Sequence, residues 1–353
     1  MPLLADDYTP PNRFFENGHV QTVYPKFRQW AGEVRYRRER IETDDGDFLD
    51  LDWSRGEARR LAILSHGLEG STQSSYIQGM TRALRRRGWD VLAWNYRGCS
   101  GEHNRLGRSY HSGATEDLEA VVQHTLRRSG YPTLALIGFS LGGNLVLKYL
   151  GERGTDVDRR IQRAVAFSVP CDLAAGSDRI ARRSNWIYQR RFLRSLGPKI
   201  QAKQSLFPDV CGTLDLAGIR TLRDFDDRFT APVHGFRNAA DYYARSSSKS
   251  FLPHIAIPTL LVNAADDPFL PPSCYPIEEA QASERLYLQT PRHGGHVGFV
   301  AFNARGEFWS ETRAADFLES TPGEPVGRAV VLKEESAALD EQERATPGRP
   351  AAP

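Results

Sequence analysis

Gly138-Phe139-Ser140-Leu141-Gly142-Gly143 stands where an apolar run, Thr133 to Ile137, gives way to a helical pattern of Leu145, Val146, Tyr149 and Leu150. A serine between glycines at a strand-to-helix junction reads as a nucleophile elbow. Such a turn forces the serine into a strained backbone conformation, and side chains at the flanking positions would collide where strand and helix approach. Glycine removes those collisions and leaves the hydroxyl exposed at the C-terminal end of the strand. The competing reading is a turn serine that caps the following helix. Capping does not require the paired glycines.

A serine nucleophile needs a base and an acid, so the downstream chain is the test. Pro258 to Ala264 is a short β-rich run that ends in Ala265-Asp266-Asp267-Pro268-Phe269. Glu284 to Thr290 is a second strand candidate, followed by Pro291-Arg292-His293-Gly294-Gly295-His296. Two acids and two histidines therefore compete. Asp267, followed by Pro268, is the better placed at the turn, with Asp266 as a loop-fixing or solvated neighbour. Gly294 and Gly295 free the loop to present His296 inward, leaving His293 at the rim. The order Ser140, Asp267, His296 differs from those of the chymotrypsin and subtilisin triads.

Outward from these motifs the chain alternates strand and helix. Glu33 to Trp53 reads as a hairpin around Asp45-Gly46, and Leu61 to Leu64 as a buried strand ending in Ser65-His66-Gly67-Leu68. Ile77, Met80, Ala83 and Leu84 recur at helical spacing, and Gly88 stops that helix. Trp89 to Tyr96 and Arg163 to Val169 are further strands; Leu118, Val121, Val122, Thr125 and Leu126 mark an amphipathic helix. This alternation implies a mostly parallel sheet covered on both faces. It lapses from Asp172 to Ile257, an aromatic, arginine-rich and helical stretch placed to sit over the serine. The last helix is expected over Trp309 to Glu319, and the composition beyond it predicts disorder.

Composition narrows the function. The chain has 353 residues, 40% of them hydrophobic, and a net charge of +2. That is enough for one large α/β core with an insertion, and too balanced to grip nucleic acid. Four cysteines, Cys99, Cys171, Cys211 and Cys274, lie far apart, which argues against a zinc site or disulfide framework and suits a reducing compartment. There is no signal-peptide pattern near Met1 and no apolar run of about 18 residues, so a cytoplasmic location is expected. No glycine loop carries the Lys-Ser/Thr or G-x-G-x-x-G of nucleotide sites. No cofactor or metal is expected.

Three stretches, Ser65-His66-Gly67-Leu68-Glu69-Gly70-Ser71, Asn95-Tyr96-Arg97-Gly98-Cys99-Ser100-Gly101 and Arg108-Ser109-Tyr110-His111-Ser112-Gly113, join the elbow, Asn263 to Phe269 and Gly294 to Phe299 in one set. With Asn17-Gly18-His19-Val20-Gln21-Thr22, they make the chain resemble the AB hydrolase superfamily. Within it the resemblance is to the AB hydrolase 4 family of bacterial hydrolases and mammalian α/β-hydrolase-domain lipases and esterases. It runs from about Asn17 to Phe317.

The resemblance implies an α/β-hydrolase fold: an eight-stranded, mostly parallel sheet with helices on both faces and a helical cap. The expected segments are core at 1–171, cap at 172–257, core at 258–319 and disordered tail at 320–353. It also implies a serine hydrolase of carboxylic esters, acylglycerols or phospholipids, with a Ser140, Asp267, His296 triad. The backbone amides of Leu68 and Leu141 are the expected oxyanion donors. The alternatives are acyl transfer by the same triad and a binding protein that kept the fold without turnover. His66 is expected to pack its loop and Arg97 to tie two loops. His103, His111 and Glu69 are expected at the surface near the pocket mouth. Peripheral membrane contact through the arginines of the cap competes with a plain solvated face. Residues Asn17 to Thr22 match the family without an evident physical role.

Overall fold

The computed structural model describes residues 3–28, 34–128, 130–212 and 218–320. Its strands are β1 (Leu3–Leu4), β2 (Arg37–Glu42), β3 (Phe48–Ser54), β4 (Arg60–Ser65), β5 (Asp90–Asn95), β6 (Thr133–Phe139), β7 (Ile161–Phe167), β8 (Thr259–Val262) and β9 (Leu286–Gln289). They form one sheet in the order β1-β9-β8-β7-β6-β4-β5-β3-β2. β3 runs antiparallel to both β2 and β5, and every other pairing is parallel.

The expected eight strands are thus nine. The addition is β1, whose two residues pair with Leu288 and Gln289 and are too short to show any periodicity in sequence. The expected hairpin is present in β2 and β3, although its first residue, Glu33, lies outside the described residues. The strand expected over Arg163 to Val169 starts two residues earlier. The tail beyond Ser320 also lies outside the described residues.

Alternation along the strands builds two cores. Leu61 and Ile63 of β4 face one side of the sheet, where they join α3 (Thr115–Arg128) and α4 (Leu141–Arg153). Ala62 and Leu64 face the other, with Ile77, Met80 and Leu84 of α2 (Ser75–Arg86) and Phe317 of the final helix, Trp309–Glu319. Full burial of each such leucine contributes about 1.5–3 kcal/mol, which fixes the register because a one-residue slip would exchange the two faces.

That register aligns the strand ends that carry the site. Ser65 pairs with Gly138, Phe139 with Phe167, Phe167 with Val262, and Val262 with Gln289. The loops after β4, β6, β8 and β9 therefore leave the sheet from one edge, where ligands bind in open α/β sheets.

Between β7 and β8 the chain leaves the sheet and becomes helical, with α1 (Gly18–Val23) lying far earlier. α5 (Leu173–Ile180) is followed by α6 (Trp186–Leu206), which continues through Pro198, and by short helices including Ala239–Ser246. Leu196 and Ile200 of α6 pack with Leu222, Phe225 and Phe229, and Leu68 from the loop after β4 packs against that cluster. The helical segment thus rests on the loop that neighbours Ser140.

Candidate active site

The elbow is built by close approach. A Cβ on Gly138 would overlap the carbonyl of Gly142, and one on Gly142 would overlap the carbonyls of Ser65 and His66. Only glycine lets α4 start this near the ends of β4 and β6. Ser140 between them has φ 53° and ψ −117°, a conformation that costs L-residues on the order of 1–3 kcal/mol. Its amide is held by the carbonyl of Phe167 at 2.8 Å, while its side chain makes no cap hydrogen bond to α4. The helix-capping reading of Ser140 is thereby excluded.

The side chain points to His296 instead. Ser140 Oγ lies 2.8 Å from His296 Nε2, and His296 Nδ1 lies 2.8 Å from Asp267 Oδ2. The carboxylate can only accept, so Nδ1 carries the proton and Nε2 is left to accept from the serine hydroxyl. The side chain of Asp267 is fully buried, and its other oxygen accepts the amide of Phe269 at 2.9 Å. The Phe269 ring sits 4.4 Å from the imidazole and shields this face from water.

The two competitors stand beside the cluster, not in it. His293 Nδ1 lies 3.6 Å from Asp266 Oδ2. Asp266 Oδ1 accepts the amide of Gly295 at 2.8 Å, the loop-fixing role expected of it, and burial pushes its carboxyl up to about 6.

The two amides expected to receive an oxyanion are those of Leu141 and Leu68. That of Leu141 opens α4, and that of Leu68 lies in the loop after β4 between two amides already engaged. Gly67 donates to Tyr76 Oη at 2.9 Å and Glu69 to Tyr110 Oη at 3.0 Å. Among the described residues, no acceptor is found for the Leu68 or Leu141 amide. Leu68, Leu141, Ser140 and His296 line one cavity.

His66 packs its loop as expected. Its Nδ1 donates to the Gly67 carbonyl at 2.8 Å and its Nε2 accepts from the amide of Tyr96, so burial holds the imidazole neutral, down to about 4. Arg97, also expected as a tie, is buried and binds Asp117, Asp45 and Asp47 at 2.6–3.0 Å.

Glu69, His103 and His111 all line the cavity, and of the three only Glu69 and His111 depart from the surface expectation. His103 is exposed there, whereas His111 is half-buried and packs against His234 and Tyr242. Glu69 is enclosed by Lys199 at 2.9 Å, Tyr110 at 2.7 Å and the Ser195 hydroxyl. Lys199 and Ser195 belong to α6, which the surface reading left out of account.

Two clefts meet at Ser140 and His296. One, about 140 Å³, is walled by apolar side chains such as Phe192, Leu196, Ile200 and Phe229. The other, about 460 Å³, is more polar and reaches Lys26, Gln73, Gln78 and Arg191. Among the described residues, no group of three or more His, Cys, Asp or Glu is arranged to hold a metal ion. No helix among them is long and apolar enough to cross a membrane.

Sheet order, elbow and Ser-His-Asp geometry together define an α/β hydrolase, and residues 63–301 match the family model described as the alpha/beta hydrolase fold. The chain belongs to that family. It is 39% identical over 320 residues to YheT of Escherichia coli (strain K12), which carries the provisional name of an esterase; the match covers 87% of this chain and 92% of that protein. Phospholipase ABHD3 of Mus musculus is 33% identical over 311 residues, 85% of this chain and 74% of its own length. A solved structure of the Pyrococcus furiosus esterase Pf2001 superposes with a TM-score of 0.53 at 18% identity, covering 90% of this chain and 97% of that one, a likeness of fold.

Proposed function

We propose that this protein hydrolyses carboxylic esters through an acyl-serine intermediate. His296 takes the proton of Ser140 as Oγ attacks the ester carbonyl. The amides of Leu68 and Leu141 hold the oxyanion, a contribution of about 3 kcal/mol for each donor. Asp267 fixes the imidazole and stabilises its protonated form, which then gives the proton to the leaving alkoxide. Water, deprotonated by the same imidazole, attacks the acyl-serine, releasing the carboxylic acid and restoring Ser140.

The helices between β7 and β8 act as a cap, so that the apolar cleft takes the acyl chain and the more polar cleft the alcohol portion. Short- or medium-chain esters and acylglycerols fit that division. The esterase and phospholipase names of the relatives support the class. A cytoplasmic setting is part of the reading, supported by four free cysteines. Peripheral membrane contact is supported by exposed Trp186 and Ile187 beside Arg183 and Arg190.

The observation that carries the proposal is the pair of 2.8 Å contacts joining Ser140, His296 and Asp267. Turnover of p-nitrophenyl acetate and butyrate by wild type and Ser140→Ala is the test. Loss of turnover in the variant is expected, and equal rates end the proposal. Product analysis with added methanol separates hydrolysis from acyl transfer, because free acid must dominate.

A further inference from the structure

The loop that carries His296 is strained and pinned. Val297 and Phe299 both have positive φ, at 59° and 45°. Left alone, such a loop would relax toward ordinary backbone and carry the imidazole with it. Three consecutive amides are instead bonded to three side chains from distant parts of the chain. Gly295 donates to Asp266 Oδ1 at 2.8 Å, His296 to Thr22 Oγ1 at 2.9 Å, and Val297 to Ser168 Oγ at 2.8 Å.

Thr22 comes from α1, which is shaped for this contact. Its hydroxyl passes its own proton to the Gly18 carbonyl at 2.6 Å, so both capacities are used and the oxygen cannot rotate away. Asn17 starts the helix by accepting the amides of His19 and Val20 at 2.9 and 3.2 Å. Gly18 lies so near the Asp266 backbone that a Cβ would overlap its carbonyl, and a Cβ on Gly295 would overlap the carbonyl of Gly18. Gln21 accepts the amide of Val300 at 2.9 Å beyond the loop. His19, on the far side, bonds Tyr188 at 3.0 Å, and Tyr188 packs on the Phe269 ring that shields His296. Residues 17–22 lie outside the stretch matched by the family model, 63–301.

We propose that Thr22 and Ser168 are positioning residues: they fix the backbone on both sides of the His296 Cα so that Nε2 meets the Ser140 hydroxyl. The inference rests on the triad reading above, and its test is arranged to fail separately. Misplacing a reacting group by about 1 Å costs roughly a hundredfold in rate, while substrate binding need not change.

The variants are Thr22→Val, Thr22→Ser and Ser168→Ala, assayed on p-nitrophenyl butyrate with rates normalised to the native fraction from thermal unfolding. Thr22→Val and Ser168→Ala are expected to lose about ten- to a hundredfold in kcat with KM within about threefold, and Thr22→Ser to recover to within about threefold of wild type. If Thr22→Val does not fold, Ser168→Ala carries the same kcat-against-KM test. Wild-type kcat in the folded variants overturns the inference. So does a rise confined to KM, which would make Thr22 only a wall of the cleft it lines, or a Thr22→Ser variant as slow as Thr22→Val. An inactive wild type would instead overturn the triad reading itself.

Discussion

Replacing Ser140 by alanine and by glycine separates two things the elbow combines, a hydrogen bond and a strained backbone. Both variants lose the 2.8 Å bond to His296, worth about 1 kcal/mol, and both should be inactive. Neither loses a helix cap, because Ser140 makes none. Alanine keeps the Cβ and with it the strain at φ 53°, whereas glycine sheds about 1–3 kcal/mol of that strain. Glycine also loosens the unfolded chain, at about 0.5–1 kcal/mol. The difference leaves Ser140→Gly more stable than Ser140→Ala by about 1 kcal/mol, and close to wild type. Urea unfolding followed by tryptophan fluorescence measures this as a higher midpoint for the glycine variant at unchanged slope. An alanine variant as stable as the glycine one would limit the strain to the about 0.5–1 kcal/mol that glycine loses through the unfolded chain, and one more stable than it would refute the strained elbow.

Two further outcomes follow from the site and its supports. Asp267→Asn should lower kcat by roughly a thousandfold or more, since the amide cannot hold the imidazole tautomer or stabilise its charge. Asp266→Asn, which keeps an acceptor for Gly295, should cost less than about tenfold; steady-state kinetics on one ester compares them, and the reverse ranking would reassign the acid. His66, held down to about 4 by burial, is neutral in both states at pH 7, but below pH 6.5 only the unfolded chain gains its proton. Its contribution is therefore present above pH 6.5 and is lost on acidification toward pH 4. The buried carboxyls of Asp226 and Asp266, both pushed up to about 6, act in the opposite direction, so the measurement is differential. The stability gap between wild type and His66→Gln should narrow by on the order of 2 kcal/mol from pH 7 to pH 5, and a constant gap would refute the neutral buried imidazole.

Much of this arrangement was legible because its causes are local. The elbow requires glycine at Gly138 and Gly142 for steric reasons that leave a mark in sequence, and each triad residue follows a strand short enough to recognise. Leu61 to Leu64 could be read as strand from its apolar run, and Trp309 to Glu319 as helix from its spacing. What could not be read depends on partners far away along the chain. Thr22 meets His296 across 274 positions, so the Asn17 to Thr22 stretch resembled the family without disclosing its task. Glu69 looked like a surface acid because nothing near it shows that Lys199 and Ser195 of α6 will fold down upon it. β1 is not legible, because two residues display no period.

The contacts around residue 296 join segments made at very different times during synthesis. Leu3 and Leu4 wait to pair with Leu288 and Gln289, and Thr22 waits for the backbone of His296. A ribosome releasing this polypeptide exposes Ser140 long before any base exists to activate it. Contacts that span about 280 positions form only after both of their ends have been made, so the surroundings of Ser140 are completed late in the folding of this domain.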